Sequence, residues 1–267
     1  MNIGIVGFGA IGQTLCRLLA EHAPDIRVQA VVARTAHASQ VASQLQPGTR
    51  IVEAASDLER LKLALVVECA GHDMLRTSGE AILASGSDLL VASVGALADS
   101  RIEKSLRRGA EAGKSRIRIP AGALGGLDVL GAARFAGLKS VVYISRKGQQ
   151  AWKGTAAEKM IDLDRLSEAQ TFYRSDARAA ALLFPQNANV AAAVALAGAG
   201  FERTEVRLMA DPAARGNWHE IHAEGEFGEI HVSILGKTLP SNPKTSMLAP
   251  YSLLRSLINL ESSIVVS

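Results

Sequence analysis

Cysteine and aromatic residues are both scarce in this chain. Its 267 residues include two cysteines, Cys16 and Cys69, and aromatic side chains make up 4% of the sequence. Two isolated cysteines in apolar surroundings provide neither a disulfide framework nor the paired spacing of a zinc site. No charged leader or apolar signal core precedes the first strand-like run at residues 3–6. We therefore expect a cytoplasmic protein without a metal site.

The chain also lacks a strong excess of one charge and a long hydrophobic run. Its 29 basic and 26 acidic residues leave a formal net charge of +3, and the charges are scattered. Nucleic-acid binding normally needs a concentrated basic face, so we expect no nucleic-acid partner, although a local basic cleft for an anionic ligand stays open. The longest apolar stretch, residues 190–201, is too short to cross a bilayer, so we expect no membrane role.

The first part of the chain alternates short β-branched runs with helical patterns. Such alternation is typical of an α/β fold, and it predicts a Rossmann-type parallel sheet covered by helices. The hydrophobic content of 48% suffices for one large core or two modest ones, which fits a two-domain enzyme. The predicted strands are residues 3–6, 28–33, 63–68, 88–92 and 116–119, and the predicted helices are residues 10–22, 78–84 and 102–112.

The second part of the chain has a different pattern. Its strand candidates alternate polar and apolar residues, which predicts a second α+β domain built on a mainly antiparallel sheet. The turn-forming sequence PAG at residues 120–122 marks the boundary. We predict a dinucleotide-binding domain over residues 1–120, a substrate and catalytic domain over 121–245, and a C-terminal helix within 246–267 that returns to the first domain. Predicted strands are residues 140–145, 205–209, 218–224 and 229–234, and predicted helices are residues 127–136, 177–183 and 189–196.

The sequence GFGAIG at residues 7–12 follows a predicted strand and opens a predicted helix. In that context Gly7 permits a tight turn, Gly9 lets a pyrophosphate approach the backbone, and Gly12 allows close packing of helix against strand. Ala10 and Ile11 open the helix, whose free N–H groups attract phosphate. We predict a dinucleotide site, the alternative being a glycine-rich turn that binds nothing.

The second predicted strand ends in Arg34 and Thr35, where NAD-binding domains usually carry an acidic residue for the ribose hydroxyls. Arginine can pair with the 2′-phosphate of NADP, and a threonine hydroxyl can add a hydrogen bond. We therefore predict NADP or NAD as the cofactor, with both residues in its site. The alternative is that Arg34 stacks on adenine or faces solvent.

Three further features are candidates for the substrate end of the site. The segment GALGGLD at residues 122–128 can bring backbone close to a nicotinamide ring, or it is an ordinary linker. Asn189 can hold the nicotinamide carboxamide or the substrate, or it caps a helix. His219 shares one strand face with Ile221, whereas His222 faces the other, which argues against a two-histidine metal site. A single histidine can serve as acid and base, although a core histidine is the alternative.

Five ordered segments together resemble the L-aspartate dehydrogenase family. They are GFGAIG, IPAGALGGLD, FPQNANVA, DPAARGNWHEIHAEGEFG and NPKTSMLAPYSLL, and they span nearly the whole chain. The resemblance implies NAD(P)-dependent oxidation of L-aspartate to iminoaspartate, which yields oxaloacetate and ammonia or feeds NAD biosynthesis through quinolinate. It also implies a homodimer, a catalytic role for His219, and cofactor contacts by Ala123 and Asn189.

One segment departs from the family pattern. After Lys147 the family tends to continue with prolines, whereas this chain reads Gly148-Gln149-Gln150, so the substrate loop is expected to differ. Lys147 and Lys244 are candidates for binding a substrate carboxylate, with a solvent-exposed lysine as the commoner outcome. Rival functions are another oxidoreductase of this architecture, such as a homoserine dehydrogenase, and an NADP-sensing module without turnover. For the dehydrogenase we expect the rate to rise with pH until the substrate amine and His219 have both titrated.

Overall fold

A computed structural model describes residues 1–33 and 41–266 of the chain. It divides into two compact units. Unit 1 comprises Met1–Pro120 and Ala249–Ser267, and unit 2 comprises Ala121–Leu248. Arg34 and Thr35, which the sequence analysis assigned to the cofactor site, lie outside the described residues.

Unit 1 contains a six-stranded, all-parallel sheet in the order β3-β2-β1-β4-β5-β6. This is the strand order of dinucleotide-binding domains, and it reverses between β1 and β4, where such domains bind their ligand. The strands are β1 (Asn2–Val6), β2 (Arg27–Val32), β3 (Arg50–Val52), β4 (Leu65–Glu68), β5 (Asp88–Val91) and β6 (Ile117–Arg118). The helices are α1 (Ala10–His22), α2 (His72–Ala84) and α3 (Ser100–Gly113).

The core of unit 1 explains why its strands consist of apolar runs. Ile3 and Ile5 of β1 are fully buried in a cluster that also contains residues of α1, β2 and β4. Strands buried on both faces need continuous apolar sequence, which is what β1, β2 and β4 provide. The last helix, α8 (Leu248–Glu261), adds Leu253, Leu254 and Leu257 to the same cluster. The C-terminal helix is therefore part of the core of unit 1.

Unit 2 is built on a five-stranded sheet in the order β11-β10-β7-β9-β8. Three of its strand pairs are antiparallel, but β7 and β9 run parallel, so the sheet is mixed. Its strands are β7 (Leu138–Lys147), β8 (Gln170–Asp176), β9 (Thr204–Ala210), β10 (Asn217–Gly225) and β11 (Gly228–Gly236), followed by the hairpin of β12 (Thr238–Leu239) and β13 (Asn242–Ser246). Its helices are α4 (Leu127–Ala133), α5 (Gln149–Trp152), α6 (Ala177–Leu183) and α7 (Ala188–Ala197).

Several boundaries differ from the sequence-based predictions. Helix α2 begins at His72 rather than at residue 78, and α4 ends at Ala133 rather than at 136. Strands β3, β8, β12 and β13 were not predicted. Strands β3 and β12 span only three and two residues, and β3 and β8 lie at a sheet edge. In the described part of the chain no single helix is long and apolar enough to span a membrane. One bent helix pair passes that test by length and composition alone.

Candidate active site

The loop after β1 has the backbone geometry that a dinucleotide requires. Gly7 has a φ of 95°, and a Cβ atom there would lie 2.6 Å from the carbonyl oxygen of Cys69. A Cβ on Gly12 would overlap the carbonyl oxygen of Gly7. Positive φ and close backbone contact both select glycine, so Gly7 and Gly12 have the conformational roles that the motif predicts.

Gly9 differs from the other two glycines, because a Cβ atom there would meet nothing within 4 Å. The open space lies beside the first turn of α1, which begins at Ala10 and continues with Ile11. Gly9 at the N-cap has no side chain to cap this helix end, so the N–H groups of the first turn can bind an anion. The loop therefore fits the pyrophosphate of NAD or NADP.

A cavity of about 580 Å³ lies against this loop within unit 1. Its size suits a ligand larger than a single amino acid. Glu53, which follows β3 directly, is part of this wall, although no sequence motif marked it as a site residue. The lining residues include Gly7, Phe8, Gly9, Glu53, Cys69 and Ala70.

A fully buried carboxylate holds the turn opposite the glycine loop. Glu68 ends β4, and its oxygens accept hydrogen bonds from the N–H groups of Ala70 and Gly71, both at 2.7 Å. They also accept bonds from the N–H of Ser93 at 2.8 Å and from its hydroxyl at 2.9 Å. Glu68 thus ties the β4–α2 turn to the end of β5. An acidic residue closing an apolar strand was the sequence signal for this clamp, and it went unused.

The two cysteines are free thiols in unit 1. Burial raises the pKa of Cys16 to about 12 and raises that of Cys69 well above its ordinary value. Both groups therefore stay protonated at neutral pH, and neither is suited to act as a nucleophile.

The inner face of the unit 2 sheet carries a polar cluster around His219. This residue lies on β10, is 4% exposed, and its Nδ1 is 2.7 Å from the hydroxyl of Tyr143 on β7. Burial, together with the positive charge of Lys147, lowers the pKa of His219 to about 3. The imidazole is therefore neutral at physiological pH. It does not titrate in the neutral or alkaline range, contrary to the sequence-based expectation.

Lys147 completes this cluster, and its burial corrects the expectation of a solvent-exposed lysine. It is 8% exposed at the end of β7, on the same face as Tyr143 and Ser145. Its ammonium donates to the Oδ1 of Asn187 and lies 5.3 Å from the ring centroid of Trp152. Burial lowers the pKa of Lys147 to about 8. Lys244, the other candidate, is exposed.

The segment predicted to line the site packs on the same sheet face. A Cβ on Gly126 would lie 2.7 Å from Val232, and one on Gly125 would lie 3.5 Å from Ile234. Ile234 pairs directly with His219 across β10 and β11. The segment that contains Ala123 therefore lies over the strands next to His219, and Ala123 itself is buried.

Asn189 and His222, two further polar residues that the sequence singled out, are less buried than His219 and Lys147. Asn189 is exposed in the first turn of α7. Asn187 at the helix start makes no side-chain cap and instead binds Lys147. His222 faces away from His219, as its position in the strand predicts, and contacts His231 at 3.1 Å. Among residues 1–33 and 41–266 no group of histidine, cysteine and acidic side chains is arranged to hold a metal.

Comparison with known proteins matches both units. The family model described as "Homoserine dehydrogenase, NAD binding domain" matches residues 7–120, and "Aspartate dehydrogenase, C-terminal" matches residues 128–260. An L-aspartate dehydrogenase from Pseudomonas aeruginosa is 44% identical, over 97% of this chain and 97% of its own. One from Brucella anthropi is 42% identical, over 99% of this chain and 98% of its own.

Solved structures agree with these matches. An aspartate dehydrogenase from Thermotoga maritima is 27% identical with a TM-score of 0.76, covering 100% of this chain and 99% of that one. A homoserine dehydrogenase from Thiobacillus denitrificans is 13% identical with a TM-score of 0.64, covering 97% and 73%, and shows a shared fold alone. The predicted fold class and the family resemblance are both confirmed. The chain belongs to the L-aspartate dehydrogenase family.

Proposed function

We propose that this chain is an NAD(P)-dependent oxidoreductase that converts L-aspartate to iminoaspartate, which water hydrolyses to oxaloacetate and ammonia. The observation that carries the proposal is the identity of 44% to an L-aspartate dehydrogenase over nearly the full length of both chains. In this proposal unit 1 binds the dinucleotide, and the polar cluster of unit 2 acts on the substrate.

The glycine loop provides the phosphate end of the cofactor site. Gly7 and Gly12 shape the loop, Gly9 leaves it open, and the N–H groups of Ala10 and Ile11 would hold the pyrophosphate. A nicotinamide cofactor bound there would supply the hydride acceptor for oxidation at the aspartate Cα. By family resemblance, Ala123 and Asn189 contact the cofactor.

The choice between NADP and NAD is assigned to Arg34 and Thr35. An arginine guanidinium can pair with the 2′-phosphate, which NAD lacks. Replacing Arg34 with alanine is therefore expected to raise the KM for NADP more than the KM for NAD. Equal changes in both KM values would remove Arg34 from the 2′-phosphate site.

His219 is proposed to move the protons that accompany oxidation and hydrolysis. Oxidation removes a hydride from Cα and a proton from the substrate ammonium; hydrolysis then adds water to the imine and releases ammonia. A neutral imidazole has one donor and one acceptor nitrogen. Since Nδ1 is bonded to Tyr143, Nε2 is left to exchange a proton with substrate or water. Within the described residues Nε2 has no hydrogen-bond partner of its own.

The pH dependence of turnover follows from these ionisations. The substrate must lose its ammonium proton before hydride transfer, so kcat at saturating L-aspartate is expected to rise with pH toward the pKa of that amine. His219 adds no inflection above about pH 5, because its pKa of about 3 lies below that range. A kcat profile that is flat from pH 7 to pH 10 at saturating L-aspartate would contradict this mechanism.

The proposed activity is tested directly in both directions. Purified protein is supplied with oxaloacetate, ammonium and NADPH or NADH, and separately with L-aspartate and NADP or NAD at alkaline pH. We expect a change in absorbance at 340 nm in each direction, with homoserine giving none. Cofactor binding without turnover of any amino or keto acid would instead favour the sensing function.

Three broader assignments accompany this function. A homodimer is supported by exposed apolar side chains in unit 2, such as Phe135, which is 88% exposed, and Leu235, which is 54% exposed. Light scattering tests this oligomeric state.

A cytoplasmic location is supported by the free thiols Cys16 and Cys69, and cell fractionation tests it. A contribution of iminoaspartate to NAD biosynthesis is tested by measuring the NAD pool after deletion of the gene.

A further inference from the structure

Lys147 carries a positive charge in the protein interior, where charged side chains are rare. Its side chain is 8% exposed, and its pKa of about 8 still leaves most molecules protonated at neutral pH. An ammonium withdrawn from water normally pairs with a carboxylate or makes several hydrogen bonds. The partners of Lys147 therefore decide whether it is a structural residue or a binding residue.

The ammonium of Lys147 has few partners. It has three N–H donors, and one of them bonds to the Oδ1 of Asn187. The ring of Trp152 lies on another side at 5.3 Å, held by an indole N–H bond to the carbonyl of Met209 and by edge contact with Phe184. As far as the structure describes the chain, no carboxylate lies within 4.0 Å of the Lys147 nitrogen.

The buried carboxylate nearest in the sheet is committed elsewhere. The backbone N–H of Asp211 donates to the carbonyl of Lys147, but the Asp211 side chain pairs with Arg146 and accepts from the N–H of Ala213. Within the described residues, the ionisable side chains buried with Lys147 on this sheet face are His219 and Tyr143. His219 is neutral, and burial raises the pKa of Tyr143, so neither supplies a negative charge.

We propose that the Lys147 ammonium, held in place by Asn187 and Trp152, is the anion-binding group of unit 2 and receives a carboxylate of the substrate. A substrate carboxylate would satisfy the donors that the protein leaves open, at a point on the same sheet face as His219. The site selects dicarboxylic amino acids. A substrate with one carboxylate cannot place one carboxylate on Lys147 and bind the site through a second one. The inference rests on the proposed function and names the group that recognises its substrate.

The test uses succinate, a dicarboxylate that has no amine to titrate and cannot be oxidised at Cα. Binding of succinate and of propionate to the full chain is measured by calorimetry from pH 6.5 to pH 9.5, with NADPH present. The proteins are wild type, Lys147→Met, Lys147→Arg and the control Lys139→Met, which alters an exposed lysine of the same strand. Turnover of L-aspartate by wild type is measured in parallel.

We expect wild type and Lys139→Met to bind succinate more tightly than propionate and to lose affinity as the pH rises through about 8, the pKa of Lys147. Lys147→Met should bind succinate at least thirtyfold more weakly at pH 7, with no slope near pH 8. Lys147→Arg should retain binding without that slope, because guanidinium stays charged. Unchanged succinate affinity in Lys147→Met, or a flat wild-type profile, would overturn the proposal.

The wild-type pH profile keeps the proposal testable if Lys147→Met does not fold. Failure of this inference is also distinct from failure of the proposed function. Aspartate turnover with succinate binding that ignores Lys147 refutes the inference alone. Lys147-dependent succinate binding without any aspartate turnover refutes the function alone.

Discussion

Glu68 in unit 1 and Lys147 in unit 2 are both buried charged side chains, but their surroundings satisfy the two charges differently. Glu68 in unit 1 is fully buried and accepts four hydrogen bonds from the chain. Lys147 in unit 2 is almost as buried but has one hydrogen bond and one aromatic neighbour within the described chain. A buried charge whose hydrogen bonds the protein itself provides supports the fold, whereas a buried charge with open hydrogen-bond donors can bind a ligand.

The two proposed ligand sites show a similar difference. In unit 1 the loop around Gly7, Gly9 and Gly12 is shaped by backbone, and it presents N–H groups at the start of α1. In unit 2 the cluster of Tyr143, Lys147 and His219 is made of side chains from two strands. A backbone site suits the phosphates that all dinucleotides share, and a side-chain site suits one particular substrate.

The largest effect is expected from His219→Ala, which should separate the two units functionally. Loss of the only histidine in the cluster should lower kcat by about 10²- to 10⁴-fold, the usual contribution of a positioned acid or base. NADPH affinity, measured by fluorescence, should stay within threefold of wild type. Retained turnover would return His219 to the role of a core residue, and loss of NADPH binding together with thermal stability would point the same way.

The next largest effect is expected from Glu68→Gln, which tests whether the buried carboxylate stabilises the fold. In Glu68→Gln an amide N–H₂ replaces one carboxylate oxygen, so at least one of the donors at Ala70, Gly71 and Ser93 loses its acceptor. We expect the free energy of unfolding to fall by about 1–3 kcal/mol. Urea unfolding measures the change, with the exposed Glu59→Gln as control, expected to stay within about 0.5 kcal/mol. An unaltered stability in Glu68→Gln would mean that the clamp contributes little.

Lys147→Met should change the free energy of unfolding in the opposite direction from Glu68→Gln, because Lys147 is a buried charge with few hydrogen-bond partners. At pH 7 the native protein holds Lys147 charged, so its removal should raise the free energy of unfolding by on the order of 1–3 kcal/mol. Between its native pKa of about 8 and its ordinary value of 10.5, only the unfolded chain keeps the proton, so wild-type stability rises with pH. The advantage of Lys147→Met should therefore shrink over that interval.

Urea unfolding of Lys147→Met and wild type at pH 7 and pH 10 measures this difference, with Lys139→Met as the exposed control. Destabilisation by more than 1 kcal/mol at pH 7 would show that Lys147 is satisfied by its surroundings after all. The contrast with Glu68 would then disappear.

The difference between the backbone loop of unit 1 and the side-chain cluster of unit 2 also explains how well the sequence predicts each site. The glycine loop was predictable because turn, approach and packing are set by residues within six positions of one another. The cluster in unit 2 joins residues 76 positions apart at Tyr143 and His219, and 40 apart at Lys147 and Asn187. Such pairs depend on strand register, which periodicity alone does not provide.

Lys147 shows where a better prediction was within reach. The predicted strand stopped at residue 145, which placed the lysine in a loop, but β7 runs to Lys147. Extending the alternation by two residues would have put Lys147 on the same face as Tyr143 and Ser145. The order of strands β7 and β9, which makes the sheet mixed, had no comparable signal because it depends on long-range pairing.

A smaller effect is expected from alanine substitutions in the glycine loop, where Gly12 is needed for the loop conformation and Gly9 for ligand binding. Gly9→Ala should leave thermal stability unchanged, since its Cβ meets nothing within 4 Å, but should weaken NADP binding about 10- to 100-fold by occupying the phosphate space. Gly12→Ala should lower both stability and affinity, since its Cβ overlaps the Gly7 carbonyl. Fluorescence titration and thermal unfolding measure the pair. Equal behaviour of the two variants would remove the distinction.

The smallest effect is expected from Tyr143→Phe, which tests whether Tyr143 positions the imidazole of His219. Its hydroxyl is 2.7 Å from Nδ1, so it holds the ring in one orientation. Without this hydrogen bond the imidazole is less well oriented, and we expect kcat to fall about tenfold while KM for L-aspartate and succinate affinity stay unchanged. Tyr173→Phe is the matched control, since that ring packs on Phe184 in the same unit. If kcat of Tyr143→Phe matches that control, Tyr143 supports packing alone, and the orientation of His219 must be fixed by its other neighbours.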